Sequence, residues 1–286
     1  MASDSSLKWR KVANIAMWIF CVASTICAII PLALVLFYVA SKGLPVLNWA
    51  FFTQEPAPPG EPGGGVGHAI VGTLMLIAIA SCIGLPIGLL GGIYLAEFGN
   101  NRFGFIVRFA ADVLNGVPSI VVGIFVYAIA ILPLPDNNRH FSAWAGGLAL
   151  GLMMIPTVMR TTEEMVRLVP MSLREAALAL GATRWRTVFK IVLGSAKGGV
   201  ITGILLAIAR VAGETAPLLF TALGNNYFSH NPNEPIASLP VTLYTFATAA
   251  DERWNALAWG GALVLVSIVC VLSIAARYAT RGRVGS

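Results

Sequence analysis

Long apolar stretches without a charged residue divide the chain into regular units. No Asp, Glu, Lys or Arg occurs in five segments, which are residues 12–41, 62–96, 113–135, 140–159 and 254–276. A transmembrane helix needs about 20 mostly apolar residues, and each segment provides them. A sixth apolar stretch follows Lys197 and is interrupted by Arg210 and Glu214. The pattern predicts an all-α integral membrane protein with six transmembrane helices, at residues 13–41, 68–97, 106–132, 143–168, 188–219 and 256–277.

Charge patterning predicts the orientation of these helices. The chain is 57% hydrophobic and 11% charged, whereas soluble domains carry roughly 25% charged residues. Most of its 19 Lys and Arg residues lie in segments on one side of the predicted spans. Because cytoplasmic loops collect Lys and Arg, both termini are expected in the cytoplasm. The net charge of +6 therefore comes from the Lys and Arg residues that orient the chain in the membrane lipid. It does not indicate a nucleic-acid partner.

Four segments follow from this topology. They are a cytoplasmic N-terminus (1–12), the first helix with an external loop (13–67), a core of five helices (68–277) and a cytoplasmic tail (278–286). The external loop is rich in proline and glycine, which predicts an irregular, flexible connector. No phosphate-cradling P-loop occurs in the chain, so any ATP must be handled by another protein. We expect no catalytic residue, metal site or cofactor.

A short amphipathic segment lies between the fourth and fifth predicted spans. Ser172 fits the N-cap and Glu175 the third position of a capping box, and Gly181 is an expected helix stop. One apolar face would consist of Leu173, Ala176, Ala177 and Leu180. The pattern predicts a cytoplasmic helix at about 172–181. Since two turns are unstable alone in water, this helix must pack into a cleft of a partner or lie on the lipid headgroups.

Two ionisable residues interrupt the fifth predicted span. Arg210 follows Lys197 by 13 residues, which is ~20 Å along a helix and places it beyond mid-membrane, toward the outside. Glu214 would lie one turn further on the same face. Ionisable residues at this depth are costly and typically mark a pathway. Two interpretations stay open, an anion pathway or a structural ion pair that neutralises itself.

The residue types at this position favour an oxyanion. A guanidinium can bind two phosphate oxygens at once. Phosphate near neutral pH keeps a proton that an ionised Glu214 could accept, whereas sulfate carries none and would be repelled. Alternatively, Glu214 merely holds Arg210 while the path is empty.

The third predicted span contains a polar patch. Asn115 and Ser119 flank Pro118 within an otherwise apolar run. They either line a pathway or satisfy backbone groups that the proline leaves free, and both readings stay open. Arg108 and Asp112 lie four residues apart and are expected to pair with each other.

The amphipathic segment also carries a motif that resembles ABC-importer permeases. Their motif is Glu-Ala-Ala, three residues, Gly, nine residues, Ile, one residue and Leu-Pro. The chain matches it at Glu175–Ala177, Gly181, Ile191 and Leu193, and it departs at Gly194, where the family has proline. The six-span topology matches as well, so the resemblance covers nearly the whole chain.

Further segments resemble the phosphate-importer permeases of the PstA type. These segments are Ala209–Phe220, Gly116–Gly123 and Ser238–Pro240. The resemblance implies a type I permease fold whose short cytoplasmic helix couples to an ATPase. It also implies four partners, namely a homologous permease (PstC type), an ATPase dimer (PstB type), an external phosphate-binding protein (PstS type) and inorganic phosphate itself.

Two sets of site residues are predicted on these grounds. The substrate path comprises Arg210, Glu214, Thr215, Asn115 and Ser119. Coupling to the ATPase uses Ser172, Leu173, Glu175, Ala176, Ala177, Leu180 and Gly181. Alternatives are a permease for another oxyanion such as molybdate or sulfate, an ion-coupled secondary transporter, and a membrane scaffold that signals phosphate status.

Overall fold

The structure of the protein, a computed structural model, describes residues 4–135 and 140–281. These residues form helices and no named strand. The helices are α1 (Asp4–Gly43), α2 (Trp49–Thr53), α3 (Gly67–Glu97), α4 (Arg102–Gly116), α5 (Ser119–Val126), α6 (Ala143–Arg167), α7 (Met171–Ala179), α8 (Arg184–Arg186), α9 (Leu193–Ala212), α10 (Ala216–Leu219), α11 (Leu239–Ala247) and α12 (Glu252–Arg281). The last residues of the predicted tail, 282–286, lie outside the described residues.

Five helical segments of the described chain are long and apolar enough to cross a membrane. They are Trp9–Val46, Gly67–Glu97, Ala143–Arg167, Arg184–Ala212 and Glu252–Tyr278. A sixth span exists if α4 and the segment Ser119–Ile131 count as one broken helix. The all-α prediction is confirmed, because the described residues form helices and no named strand. A helix suits a membrane span because it satisfies its backbone groups internally.

The third predicted span is not one continuous helix. α4 ends at Gly116, and the chain turns by 105° before Ser119. Val117 is extended, with ψ at 131°, and Pro118 follows it. A proline disfavours helical geometry in the residue before it and cannot donate a backbone hydrogen bond. The span predicted at 106–132 is therefore broken into two helices at Val117 and Pro118.

The fifth predicted span also ends early. α8, a π-helical segment at Thr187–Val192 and α9 run together as one span, which stops at Ala212. The short helix α10 then starts at Ala216 with Pro217 in its first turn. Pro217 has no N–H for the carbonyl of Gly213, so the helix cannot run on to residue 219.

The centre of the molecule is the pair α3 and α6. Gly84, Gly88 and Gly92 lie on one stripe of α3, as their spacing of four predicts. A Cβ on Gly88 would lie 2.8 Å from the Cβ of Val158, and one on Gly92 would lie 2.5 Å from the carbonyl oxygen of Met159. Small residues at such an interface allow helices to approach closely.

The proline- and glycine-rich loop after α2 is irregular, as predicted, but its tip is attached to the start of α12. The Asp251 carboxylate accepts the Gly60 N–H at 2.8 Å, and Trp254 Nε1 donates to the Ala57 carbonyl at 3.0 Å. The backbone N–H groups of Trp254 and Gly60 lower the pKa of Asp251. The loop is therefore tied down and is not the flexible connector expected from its composition.

Replacing Gly92 by alanine tests the α3–α6 contact. The added Cβ would collide with α6, so we expect a destabilisation of about 1–3 kcal/mol. Gly194→Ala is the matched control, because Gly194 lies in helix α9 with open space around it. The check is the thermal unfolding midpoint of each detergent-purified variant. Equal midpoints for the two variants would contradict the close approach at Gly92.

Candidate functional site

The predicted cytoplasmic helix exists as α7, but its N-cap lies two residues earlier than predicted. Pro170 is its N-cap residue, with no side-chain cap hydrogen bond, and the Leu173 N–H donates to the Pro170 carbonyl at 3.3 Å. Ser172 is thus inside the first turn, where its hydroxyl cannot cap the helix. The capping box of Ser172 and Glu175 is wrong, and both side chains are exposed.

The end of α7 follows the prediction. Gly181 has φ of +80°, a left-handed conformation that glycine adopts without steric cost. Its N–H donates to the Leu178 carbonyl at 3.0 Å, and the Ala182 N–H donates to the Ala177 carbonyl at 3.1 Å. These two bonds form a Schellman motif, so Gly181 ends the helix as expected.

The apolar residues of α7 do not share one free face. Leu180 is 89% exposed and Leu173 and Ala176 are exposed too, but Ala177 is only 4% exposed. α7 packs its inner side against the π-helical segment Thr187–Val192. Ala177 therefore belongs to the inner side, and the prediction that it faces a partner is wrong. Leu173, Ala176 and Leu180 remain available on the outer side.

Arg174, which the sequence analysis did not single out, attaches α7 to the rest of the chain. Its Nη2 lies 2.9 Å from Glu97 Oε1 at the end of α3 and 2.9 Å from the Val166 carbonyl of α6. Its Nη1 donates to the carbonyl of Val169. A motif centred on Glu175 and two alanines gives no sign of this role, because Glu97 is remote in sequence.

A second charged group lies nearby, centred on Glu163 of α6. Glu163 has a side chain only 3% exposed and pairs with three arginines, Arg108 at 2.7 Å, Arg160 at 3.3 Å and Arg167 at 2.8 Å. Asp112 pairs with Arg160, not with Arg108. The expected pair within α4 is therefore replaced by two pairs between α4 and α6.

The structure separates Arg210 from Glu214. Arg210 lies in the last turn of α9, whereas Glu214 lies in the turn beyond it, so the two no longer occupy positions i and i+4 of one helix. Arg210 is exposed, and its side chain makes no ion pair or hydrogen bond within residues 4–135 and 140–281. The self-neutralising pair, one of the two open interpretations, is not formed.

The other predicted path residues also lie at breaks in the spans. Asn115 is in the last turn of α4, where its Oδ1 lies 3.4 Å from Thr157 Oγ1, and Ser119 begins α5. Thr215 is the N-cap residue of α10. Within the described chain, no hydrogen bond joins the side chains of Asn115 or Ser119 to those of Arg210 or Glu214.

The two broken spans touch each other directly. A Cβ on Gly123 of α5 would lie 2.6 Å from the Cα of Pro217 in α10. The short helices that follow the two breaks are therefore in close backbone contact. In the described residues, no group of three or more His, Cys, Asp or Glu side chains is placed to hold a metal ion.

Broken spans, a cation within an apolar span and a short anchored helix between two spans are typical of membrane transport proteins. Residues 88–284 match the family model described as "Binding-protein-dependent transport system inner membrane component". The chain belongs to this family.

Relatives and solved structures agree with this assignment. The chain is 46% identical to the phosphate transport system permease protein PstA of Haemophilus influenzae, over 97% of this chain and 98% of the relative. It is 40% identical to the probable phosphate transport system permease protein PstA of Methanocaldococcus jannaschii, over 91% and 90%.

The fold is that of type I ABC-importer permeases. A chain of a bacterial alginate ABC transporter matches with a TM-score of 0.67 at 13% identity, over 96% of both chains. A chain of the MetNI methionine ABC transporter in an inward-facing conformation matches with a TM-score of 0.59 at 18% identity, over 75% of this chain and 95% of its own length.

Gly181→Ala tests the terminus of α7. Because a side chain at φ +80° is strained, the variant should lose about 1 kcal/mol, although open space surrounds the position. Gly181→Asn should lose less, since asparagine tolerates this conformation. The check is the unfolding midpoint of the purified chain. Identical midpoints for wild type and Gly181→Ala would rule out the left-handed terminus.

Proposed function

We propose that this chain is the membrane-spanning permease subunit of an ATP-driven importer of inorganic phosphate. The observation that carries the proposal is the free guanidinium of Arg210 at the end of α9, in a chain 46% identical to a phosphate transport permease. A permease for another oxyanion is the competing function.

The electrostatics of Arg210 support an anionic substrate. An unpaired cation inside an apolar span is costly unless something compensates its charge. A phosphate ion supplies that charge and accepts two parallel hydrogen bonds from a guanidinium. Glu214 lies in the turn that follows α9, four residues after Arg210 in sequence. It makes no ion pair within the described chain. Its carboxylate is then available to accept a hydrogen bond from the protonated oxygen that phosphate carries and sulfate lacks.

The chain depends on a separate ATPase in this proposal. It contains no P-loop, whereas its relatives' family is named for binding-protein-dependent transport. The outer side of α7, with Leu180 and Leu173 exposed, is the surface for an ATPase dimer (PstB type). A secondary transporter would have no use for this surface. The termini and α7 lie in the cytoplasm, on the side where Lys and Arg collect.

A homologous permease (PstC type) completes the transport path. α1 buries none of its most apolar stretch against its own chain, and it contacts α12 near its end, where the rings of Tyr38 and Trp259 are 5.1 Å apart. Arg210 also faces away from its own chain, together with Leu206 one turn earlier. The path therefore lies between two permeases, and lipid or the second permease covers α1. An external phosphate-binding protein (PstS type) delivers the substrate.

Arg210→Gln should lower phosphate uptake at least ~10-fold while the complex still assembles, because its loss strands no carboxylate partner. Arg210→Lys should restore part of the uptake, since an ammonium lacks the planar fork. Glu214→Gln should admit sulfate if Glu214 accepts a hydrogen bond from the protonated phosphate oxygen. The measurement is uptake of labelled phosphate and sulfate together with complex yield. Normal phosphate uptake by Arg210→Gln would refute the pathway role.

Leu180→Asp should weaken binding of the ATPase without unfolding the permease. Leu180 is almost fully exposed, so a charge costs little in the isolated chain, but it would be desolvated in an apolar cleft. The measurement is copurification of the ATPase. Ala177→Asp is the contrasting variant, because it buries a charge inside the permease and should reduce the yield of the chain itself. Unchanged copurification for Leu180→Asp would contradict docking through α7.

A further inference from the structure

The C-terminal end of α3 is held by two arginines from two different helices. Arg174 of α7 binds the Glu97 carboxylate, with Nη2 at 2.9 Å and Nε at 3.2 Å from Oε1. Arg108 of α4 binds the last backbone carbonyls of the same end, Leu95 at 2.8 Å and Gly99 at 2.9 Å. A helix end leaves several carbonyls without partners, and here a side chain of another helix satisfies them.

Both arginines also bind the end of α6. Arg174 donates to the carbonyls of Val166 and Val169, and Arg108 donates to the Glu163 carboxylate at 2.7 Å. Each guanidinium therefore joins three elements, namely its own helix, α3 and α6. We call these four side chains, Arg174, Glu97, Arg108 and Glu163, the arginine clamp.

The clamp is stiff because its charges are largely removed from water. The side chains of Arg174 and Glu97 are 14% and 13% exposed. Breaking one partner of such a pair leaves an uncompensated charge and is far more costly than breaking an exposed pair. Planar guanidinium groups that make several bonds also fix orientation as well as distance.

Polar bonds, not apolar packing, connect α7 to α3. A cavity of about 220 Å³ lies between them, lined by Glu97, Phe98, Met171, Arg174 and Leu178 among others. Interiors that lack close packing transmit strain poorly. Arg174 and Glu97 cross this space, so they are the rigid connection at this point.

We propose that the arginine clamp transmits displacement of α7 to the spans. When α7 moves, Arg174 pulls the ends of α3 and α6 with it, and Glu163 and Arg108 extend the movement to α4. α4 leads into the 105° break at Val117 and Pro118, and α5 beyond it touches α10 at Gly123 and Pro217. The clamp thus gives a continuous physical route from α7 to both broken spans. Arg174 and Glu97 are positioning residues, and this role rests on the proposed function.

The test is the amount of phosphate imported per ATP hydrolysed by the complete complex in proteoliposomes. Arg174→Gln should lower this ratio about tenfold and Glu97→Gln should lower it by less, while ATP hydrolysis per assembled complex continues. Glu97→Gln is the milder change, because Arg174 keeps its bonds to the α6 carbonyls. Arg174→Lys should give an intermediate ratio, since it keeps the charge pair without the fork.

Arg102→Gln is the matched control. Arg102 is exposed at the start of α4 and makes no bond within the described chain, so its removal changes the net charge equally and should leave the ratio unchanged. A wild-type ratio in both Arg174→Gln and Glu97→Gln overturns the proposal, whatever the yield of complex, because a merely structural pair changes yield and not the ratio. If unmodified complex hydrolyses ATP and imports no phosphate, the proposed function itself fails, and the two failures are thereby distinguished.

Discussion

A chain that crosses hydrocarbon must pair its backbone N–H and C=O groups within itself, and this constraint governs the whole structure. It requires long helices, and the described residues provide five complete ones. It also restricts where a helix can stop. The two interruptions, at Val117–Pro118 and at Gly213–Thr215, are each followed by a short helix, and these two helices, α5 and α10, pack against each other.

Charge is distributed according to the same constraint. Arg108 of α4, Arg160 of α6 and Arg174 of α7 bind carboxylates or terminal carbonyls of neighbouring helices. The guanidinium groups of Arg108 and Arg174 donate hydrogen bonds to helix-end carbonyls that water would satisfy in a soluble protein. Arg210 differs from them because it is unpaired within the described chain. Arg108 and Arg174 thus hold helix ends together, whereas the guanidinium of Arg210 keeps its hydrogen-bond donors free within that part of the chain.

The sequence predicted the features that depend on local pattern. The span positions, the small-residue stripe of α3 and the stop at Gly181 follow from charge gaps, spacing and the conformational freedom of glycine. Features that depend on distant partners were missed. Arg174 pairs with Glu97, which is 77 residues away in sequence. Arg108 pairs with Glu163 and not with the predicted Asp112, because α6 lies beside α4. The helix breaks were not predicted because Pro118 and Pro217 lie within apolar runs that are long enough to span a membrane, although each proline begins a new, short helix.

The lone charge of Arg210 has a consequence for the energetics of import. In the proposed transport path, an anion that passes Arg210 gains local attraction, but the guanidinium stays fixed in the protein and does not cross the membrane. Each negative charge that enters a cell with an interior-negative potential therefore still works against ~2.3 kcal/mol per 100 mV. A fixed counter-charge lowers the barrier along the path and leaves this electrical work unchanged. In the proposed importer, ATP hydrolysis by the partner ATPase supplies this electrical work.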